Sequence, residues 1–122
     1  MIDRRFTQTQ HRFASDDLET MSEAHRYQAH VFDLFRAYIG KRVLEVGAGI
    51  GTMSRSLLDV AEHVVGIEPN QACATRALAA LGDHPRFELR VCHLEECDRA
   101  SLVAERFDTI ACVNVLEHIE DD

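Results

Sequence analysis

Basic charge is scarce in this chain. Of 122 residues, 13 are Lys or Arg against 21 Asp or Glu, a formal charge of −8, and Lys41 is the only lysine. A surface of that sign repels phosphate backbones and anionic headgroups, which argues against nucleic acid or a membrane as partner. The single lysine precedes the first apolar run, so no glycine-rich loop carries the lysine that cradles a nucleotide's phosphates. No apolar run approaches the length that spans a bilayer, and the opening Met1-Ile2-Asp3-Arg4-Arg5 lacks the apolar stretch of a signal peptide. The four cysteines, Cys73, Cys92, Cys97 and Cys112, include no pair at the two-residue spacing of a zinc or redox motif. Cys73 and Cys112 fall on apolar periodic faces and read as buried free thiols, with Cys92 as packing, the usage of a reducing, cytoplasmic compartment. Glu120-Asp121-Asp122 reads as a solvated acidic loop, so Glu117, His118 and Glu120 are not expected to hold a metal. Repeats, low-complexity tracts and linkers are also lacking.

What the chain does contain is a strand running into a glycine turn. Val43-Leu44-Glu45-Val46-Gly47-Ala48-Gly49-Ile50-Gly51-Thr52 couples an apolar run to E-x-G-x-G-x-G. Its glycines mark positions where a side chain would block either the turn or a ligand lying on the backbone. A helix starting near Thr52 would aim its free N–H groups into the same crevice. A second apolar run, Val64-Val65-Gly66-Ile67, ends in Glu68. Neighbouring strand ends lie side by side in a doubly wound sheet, so Glu68 is placed to accept hydrogen bonds from both hydroxyls of a ribose. A dinucleotide fingerprint would need its third glycine at position 52, where this chain has Thr52, and an oxidoreductase is disfavoured on that ground.

Residues 1–15 show no periodicity and are expected to form a mobile arm ahead of a single domain, 16–122. From about Ser22 to Ile39, Ala24, Tyr27, Val31, Leu34, Phe35 and Tyr38 recur at helical spacing, and Gly40 supplies the stop. The pattern then predicts strands over 42–47, 63–68, 86–92 and 107–114, and helices over 52–61, 70–81 and 97–105. Asn70 is the expected N-cap and Gly82 the expected stop of the second of these helices. Strand and helix alternate with short connections, the pattern of a parallel sheet with right-handed crossovers. The runs beginning near Arg42, His63 and Phe107 are nearly continuous, as in strands covered on both faces. Arg86-Phe87-Glu88-Leu89-Arg90-Val91 alternates, which suits an edge strand guarded by charge. The expectation is a Rossmann-like doubly wound α/β fold with strand order 3-2-1-4 and a helix before the first strand.

Three blocks in order carry a resemblance to a known family. They are Val43 to Gly51, then Val65-Gly66-Ile67-Glu68-Pro69-Asn70, then Phe107-Asp108-Thr109-Ile110-Ala111-Cys112-Val113-Asn114-Val115-Leu116-Glu117-His118-Ile119. Through them the chain resembles the class I S-adenosylmethionine-dependent methyltransferases. The resemblance implies S-adenosylmethionine as cofactor and S-adenosylhomocysteine as product, bound across the carboxyl ends of the strands. Carried over residue by residue, Glu45 would organise the site near the cofactor's amino group. Gly47, Ala48, Gly49 and Gly51 would present backbone, Glu68 with Pro69 would hold the ribose, and Asn114 would meet the methionine part. Where the family often has an acid facing the adenine amino group, this chain has His93. A neutral imidazole can accept through one nitrogen while Leu94 gives its backbone N–H; the alternative is that His93 caps a surface loop and Glu95 contributes. His118 has the chemistry of a general base, but Leu116-Glu117-His118-Ile119 resembles a motif shared by members with different acceptors, so no catalytic residue is assigned.

The implied reaction is methyl transfer to a small-molecule acceptor, with Tyr27 and His30 as candidate acceptor contacts. Such a fold needs about twice the residues present, so the chain reads as the cofactor-binding half of a methyltransferase domain, the C-terminal half being absent, and as inactive if it acts alone. The alternative is a non-catalytic S-adenosylmethionine-binding or assembly module working with another domain. Without a fifth strand, Phe107, Ile110, Ala111, Cys112 and Val113 would form an unguarded apolar edge, and the expected occupant is a second copy of the chain.

Overall fold

The computed structural model describes residue 23 and residues 26–112. The expected arm, Ala24, and every residue from Val113 onward, including Asn114, Glu117, His118 and Glu120, lie outside them. The chain divides into two compact units, 1–34 and 35–122.

The described residues from 26 on are helical, and this helix, α1, runs over 26–35, its last residue counted with the second unit. Phe32 is buried while Gln28, Val31 and Phe35 are half-buried, a single stripe at helical spacing. Tyr27 and Leu34, expected on the inner face, are 60% and 66% exposed. Tyr38, 83% exposed, falls in a 3-10 turn, Arg36–Tyr38, whose tighter winding rotates it off any α-helical stripe.

The second unit is built on four parallel strands: β1 (Arg42–Val46), β2 (His63–Ile67), β3 (Phe87–Arg90) and β4 (Thr109–Cys112), ordered β3-β2-β1-β4. Between them come α2 (Thr52–Leu58), α3 (Gln71–Leu81), a 3-10 turn (Leu94–Glu96) and α4 (Arg99–Ala104). The expected topology is therefore the observed one. Register pairs Leu44 with Val65 and Val46 with Ile67. On that face Leu44, Val65 and Ile67 pack with Val46, Cys92, Cys97, Leu102 and Phe107. Val43, Val64 and Phe87 point to the other face, where α2 and α3 contribute Leu57, Leu58, Ala74, Ala77 and Leu81 to the core. Helices on both faces explain why β1 and β2 tolerate nearly continuous apolar runs, with Glu45 the buried acid within β1.

Local chemistry sets the element ends. Asn70 caps α3 by accepting from the Cys73 N–H at 3.0 Å. Gly82 ends α3, but with right-handed backbone (φ −59°) and not by the left-handed turn that glycine usually supplies. β3 starts at Phe87 and not at Arg86, although the Arg86 carbonyl still accepts from the Val64 N–H of β2 at 2.9 Å; the Arg86 guanidinium donates to the carbonyls of Leu58, the last residue of α2 (3.1 Å), and of Ala61 beyond it (2.7 Å). Arg90 turns to Glu105 and Glu88, so of the three charges expected to guard the β3 edge, two are engaged in tying elements together.

Two expectations for β4 and the cysteines fail. Ile110 is 69% exposed and Cys112 is exposed, since α4 has only six residues and covers the cluster around Leu44 without reaching the β4 side chains on that face. Cys73 is half-buried on α3, not fully enclosed.

Candidate functional site

The glycine turn leaves β1 with Gly47, Gly49 and Gly51 all at positive φ (79°, 59° and 91°), a backbone path that other residues resist. Its amides are used inside the protein. Gly47 and Ala48 donate to the Ile67 carbonyl at 2.8 and 3.0 Å, and Gly51 donates to Ala48 at 3.1 Å. The Gly49 N–H donates to Glu68 Oε1 at 2.7 Å. The turn is thus bolted to the end of β2 through the amides of Gly47, Ala48 and Gly49.

Gly49 and Gly51 separate by surroundings. A Cβ on Gly49 would meet nothing within 4 Å, so open space lies over it. A Cβ on Gly51 would come within 3.1 Å of Leu81 and 3.5 Å of Ala77, so this buried glycine serves the approach of α2 to α3. Gly66 has a related task unforeseen in the sequence. Its missing side chain leaves room for Ala48, whose Cβ would lie 3.0 Å from a Cβ there, and so lets the turn fold down on β2.

Glu68 is buried at 8% exposure. Besides Gly49, its other oxygen accepts from the Asn70 N–H at 2.8 Å. Each oxygen keeps a second lone pair, so the carboxylate both staples the turn and can still accept from a ligand hydroxyl. Pro69, next to it, is exposed.

Glu45 lies deeper, 3% exposed on β1, and accepts a short hydrogen bond from the Ser54 hydroxyl of α2. Burial pushes its carboxyl up to about 7; the Ser54 bond opposes that rise, and the nearby Glu68 charge adds to it. Ser54, fully buried, is a functional partner that sequence reasoning missed. Nine positions separate it from Glu45, a spacing that becomes a contact only once α2 folds back on the sheet.

At the carboxyl end of β3 the chain passes through Cys92 into the Leu94–Glu96 turn. His93 and Leu94 are both exposed there. The His93 N–H donates to Glu96 Oε1 at 2.9 Å, so Glu96 and not Glu95 is the acid that organises this loop. The Glu68 N–H donates to the Arg90 carbonyl at 3.0 Å, which joins the ends of β2 and β3. Glu45, Gly47, Ala48, Gly49, Gly51 and Glu68 are therefore brought together, with His93 and Leu94 on the same sheet edge; Asn114 lies outside the described residues. Among the described residues no cluster of three or more His, Cys, Asp or Glu could hold a metal, and no helix is long and apolar enough to cross a membrane.

The chain is similar to known proteins. The family model described as a methyltransferase domain matches residues 44–122. A ubiquinone biosynthesis O-methyltransferase of Hahella chejuensis is 33% identical over 121 residues, 97% of this chain and 50% of that protein. The N-terminal domain of EvdMO1 with SAH bound superposes with a TM-score of 0.60 at 26% identity, covering 78% of this chain and 40% of the other. CalS10, a SAM-bound amino pentose methyltransferase from Micromonospora echinaspora, gives 0.55 at 27%, covering 73% and 36%. The chain spans about half or less of the length of the curated relatives it matches.

Proposed function

Because the chain belongs to the class I S-adenosylmethionine-dependent methyltransferases, we propose that it supplies the cofactor-binding half of an enzyme that methylates a small molecule. The O-methyltransferase relatives favour a hydroxyl oxygen as the acceptor atom. One observation carries the reading: open space over Gly49 beside a buried carboxylate, Glu68, that retains lone pairs. A nucleoside lying on the turn would meet no side chain at Gly49 and would find in Glu68 an acceptor for its ribose diol.

When bound, S-adenosylmethionine supplies an already activated methyl group on a sulfonium, so the protein's share is alignment and exclusion of water. Glu68 would hold the ribose and, through Gly49, keep the turn in place. Glu45 would lie behind the turn as a buried acid facing the cofactor's ammonium group, with Ser54 fixing its orientation. His93 would accept from the adenine amino group while the Leu94 N–H meets a ring nitrogen, and Asn114 would contact the methionine part. A cytoplasmic location belongs to the same reading, supported by four cysteines that are all free.

Calorimetric titration of the chain with S-adenosylhomocysteine tests the proposal. Saturable one-to-one binding is expected; a folded chain that gives no heat at millimolar ligand would overturn it.

A further inference from the structure

We propose that Cys92 and Cys97 form an oxidisable dithiol, which a hydroperoxide closes into a disulfide across the loop that carries His93 and Leu94. Both thiols are free, both are half-buried, and their Sγ atoms lie 3.0 Å apart. A disulfide is about 2.05 Å long, so an approach of about 1 Å makes the bond, within reach of a short turn. The residues on either side are held: Cys92 follows β3, and Cys97 closes the Leu94–Glu96 turn by donating its N–H to Leu94 at 3.1 Å. The pair also packs on Leu44, Val65 and Ile67, which keeps the two sulfurs facing each other.

The chemistry balances. Burial, and then the neighbouring Cys92, push the Cys97 thiol up to about 11. One sulfur of the pair, as thiolate, attacks the distal oxygen of the hydroperoxide: an S–O bond forms as the O–O bond breaks, the other oxygen takes a proton and leaves as water or alcohol, and the attacking sulfur becomes a sulfenic acid. The second sulfur then attacks the first and expels its hydroxyl, which takes the second thiol's proton and leaves as water. Two thiols lose two electrons and two protons, and the peroxide is reduced.

Closure reaches the ligand loop. The Cys97 S–H donates to the His93 carbonyl at 3.6 Å, and the disulfide has no such proton. Drawing Cys97 toward β3 also shifts the turn that positions His93 and Leu94. The consequence for ligand affinity rests on the cofactor reading above, whereas the bond itself does not.

The full chain, reduced with dithiothreitol and then given one equivalent of hydrogen peroxide, provides the test by intact mass, peptide mapping and titration with S-adenosylhomocysteine. The expected result is a mass loss of about 2 Da, two hydrogens, and a single linked peptide joining Cys92 to Cys97, reversed by dithiothreitol. Affinity should fall at least about fivefold, the low end of ordinary coupling between two sites. Cys97→Ser and Cys92→Ser should each leave the remaining thiol of the pair unlinked, with no mass loss of two hydrogens. Oxygenated Cys92 or Cys97 without a link in the unmodified chain, or a link to Cys73 or Cys112, would overturn the dithiol. A linked chain with unchanged affinity would overturn its coupling to the ligand loop. A reduced chain with no affinity would overturn the cofactor reading instead, and the dithiol would then be decided by the linked peptide alone.

Discussion

At neutral pH the Glu45 carboxyl stands near its midpoint, because burial raises it to about 7 against the pull of the Ser54 hydroxyl. Its ordinary value is 4.5, so between these limits the folded chain binds a proton that the unfolded chain has released. The ligand-free protein should therefore lose stability as pH rises from about 4.5 to about 7, by an amount on the order of 3 kcal/mol, and level off above. Thermal melts across that window should show the decline, and Glu45→Gln should flatten it. A bound ammonium group would favour the carboxylate, so titration with S-adenosylhomocysteine at pH 6.5 should release protons, seen as a dependence of the measured heat on buffer ionisation enthalpy. Glu68 differs, since its oxygens already accept two backbone N–H bonds. Glu68→Ala should weaken ligand binding by about 1–3 kcal/mol, and because it also frees the turn, the melting temperature should fall with it. An unchanged dissociation constant in a folded variant would remove the ribose assignment.

Elements in this protein are joined by groups at their ends, and the glycine turn shows how two similar residues in one element serve different partners. Gly49→Val should abolish ligand binding, since the branched side chain enters open space above the turn, and it should also lower stability by straining a positive φ. Gly51→Ala should destabilise the fold through the contact with Leu81 and its own positive φ while leaving the ligand face clear. Affinity measured on both variants in their folded state separates the two roles. The last carbonyl of α2 and that of Ala61 beyond it are held by Arg86, which stands just before β3. Arg86→Ala should cost about 1 kcal/mol in chemical denaturation, with little effect on ligand affinity.

For the molecule as a whole, β4 is the exposed flank: it pairs with β1, and among the described residues no strand pairs with its other side. Ile110, 69% exposed, stands on it beside the exposed Cys112. We therefore expect the 122-residue chain to self-associate through this edge in light scattering, and Ile110→Lys to shift it toward monomer. A monodisperse monomer at high concentration would sink that expectation. The parallel order 3-2-1-4, the glycine turn and the two acids at the strand ends were all legible in the sequence, because apolar runs, glycine spacing and chain order are local or sequential properties. Tertiary structure alone decided which groups meet. Ser54 reaches Glu45, Arg86 reaches past the end of α2, Gly66 makes room for Ala48, and two cysteines whose spacing matches no redox motif come within 3.0 Å. It also decided that Cys112 and Tyr38 face outward, since a periodic pattern marks a face as apolar without stating whether a neighbour covers it. Pairings of this kind depend on how helices fold back over a twisted sheet, and that geometry is set by the packing of the whole.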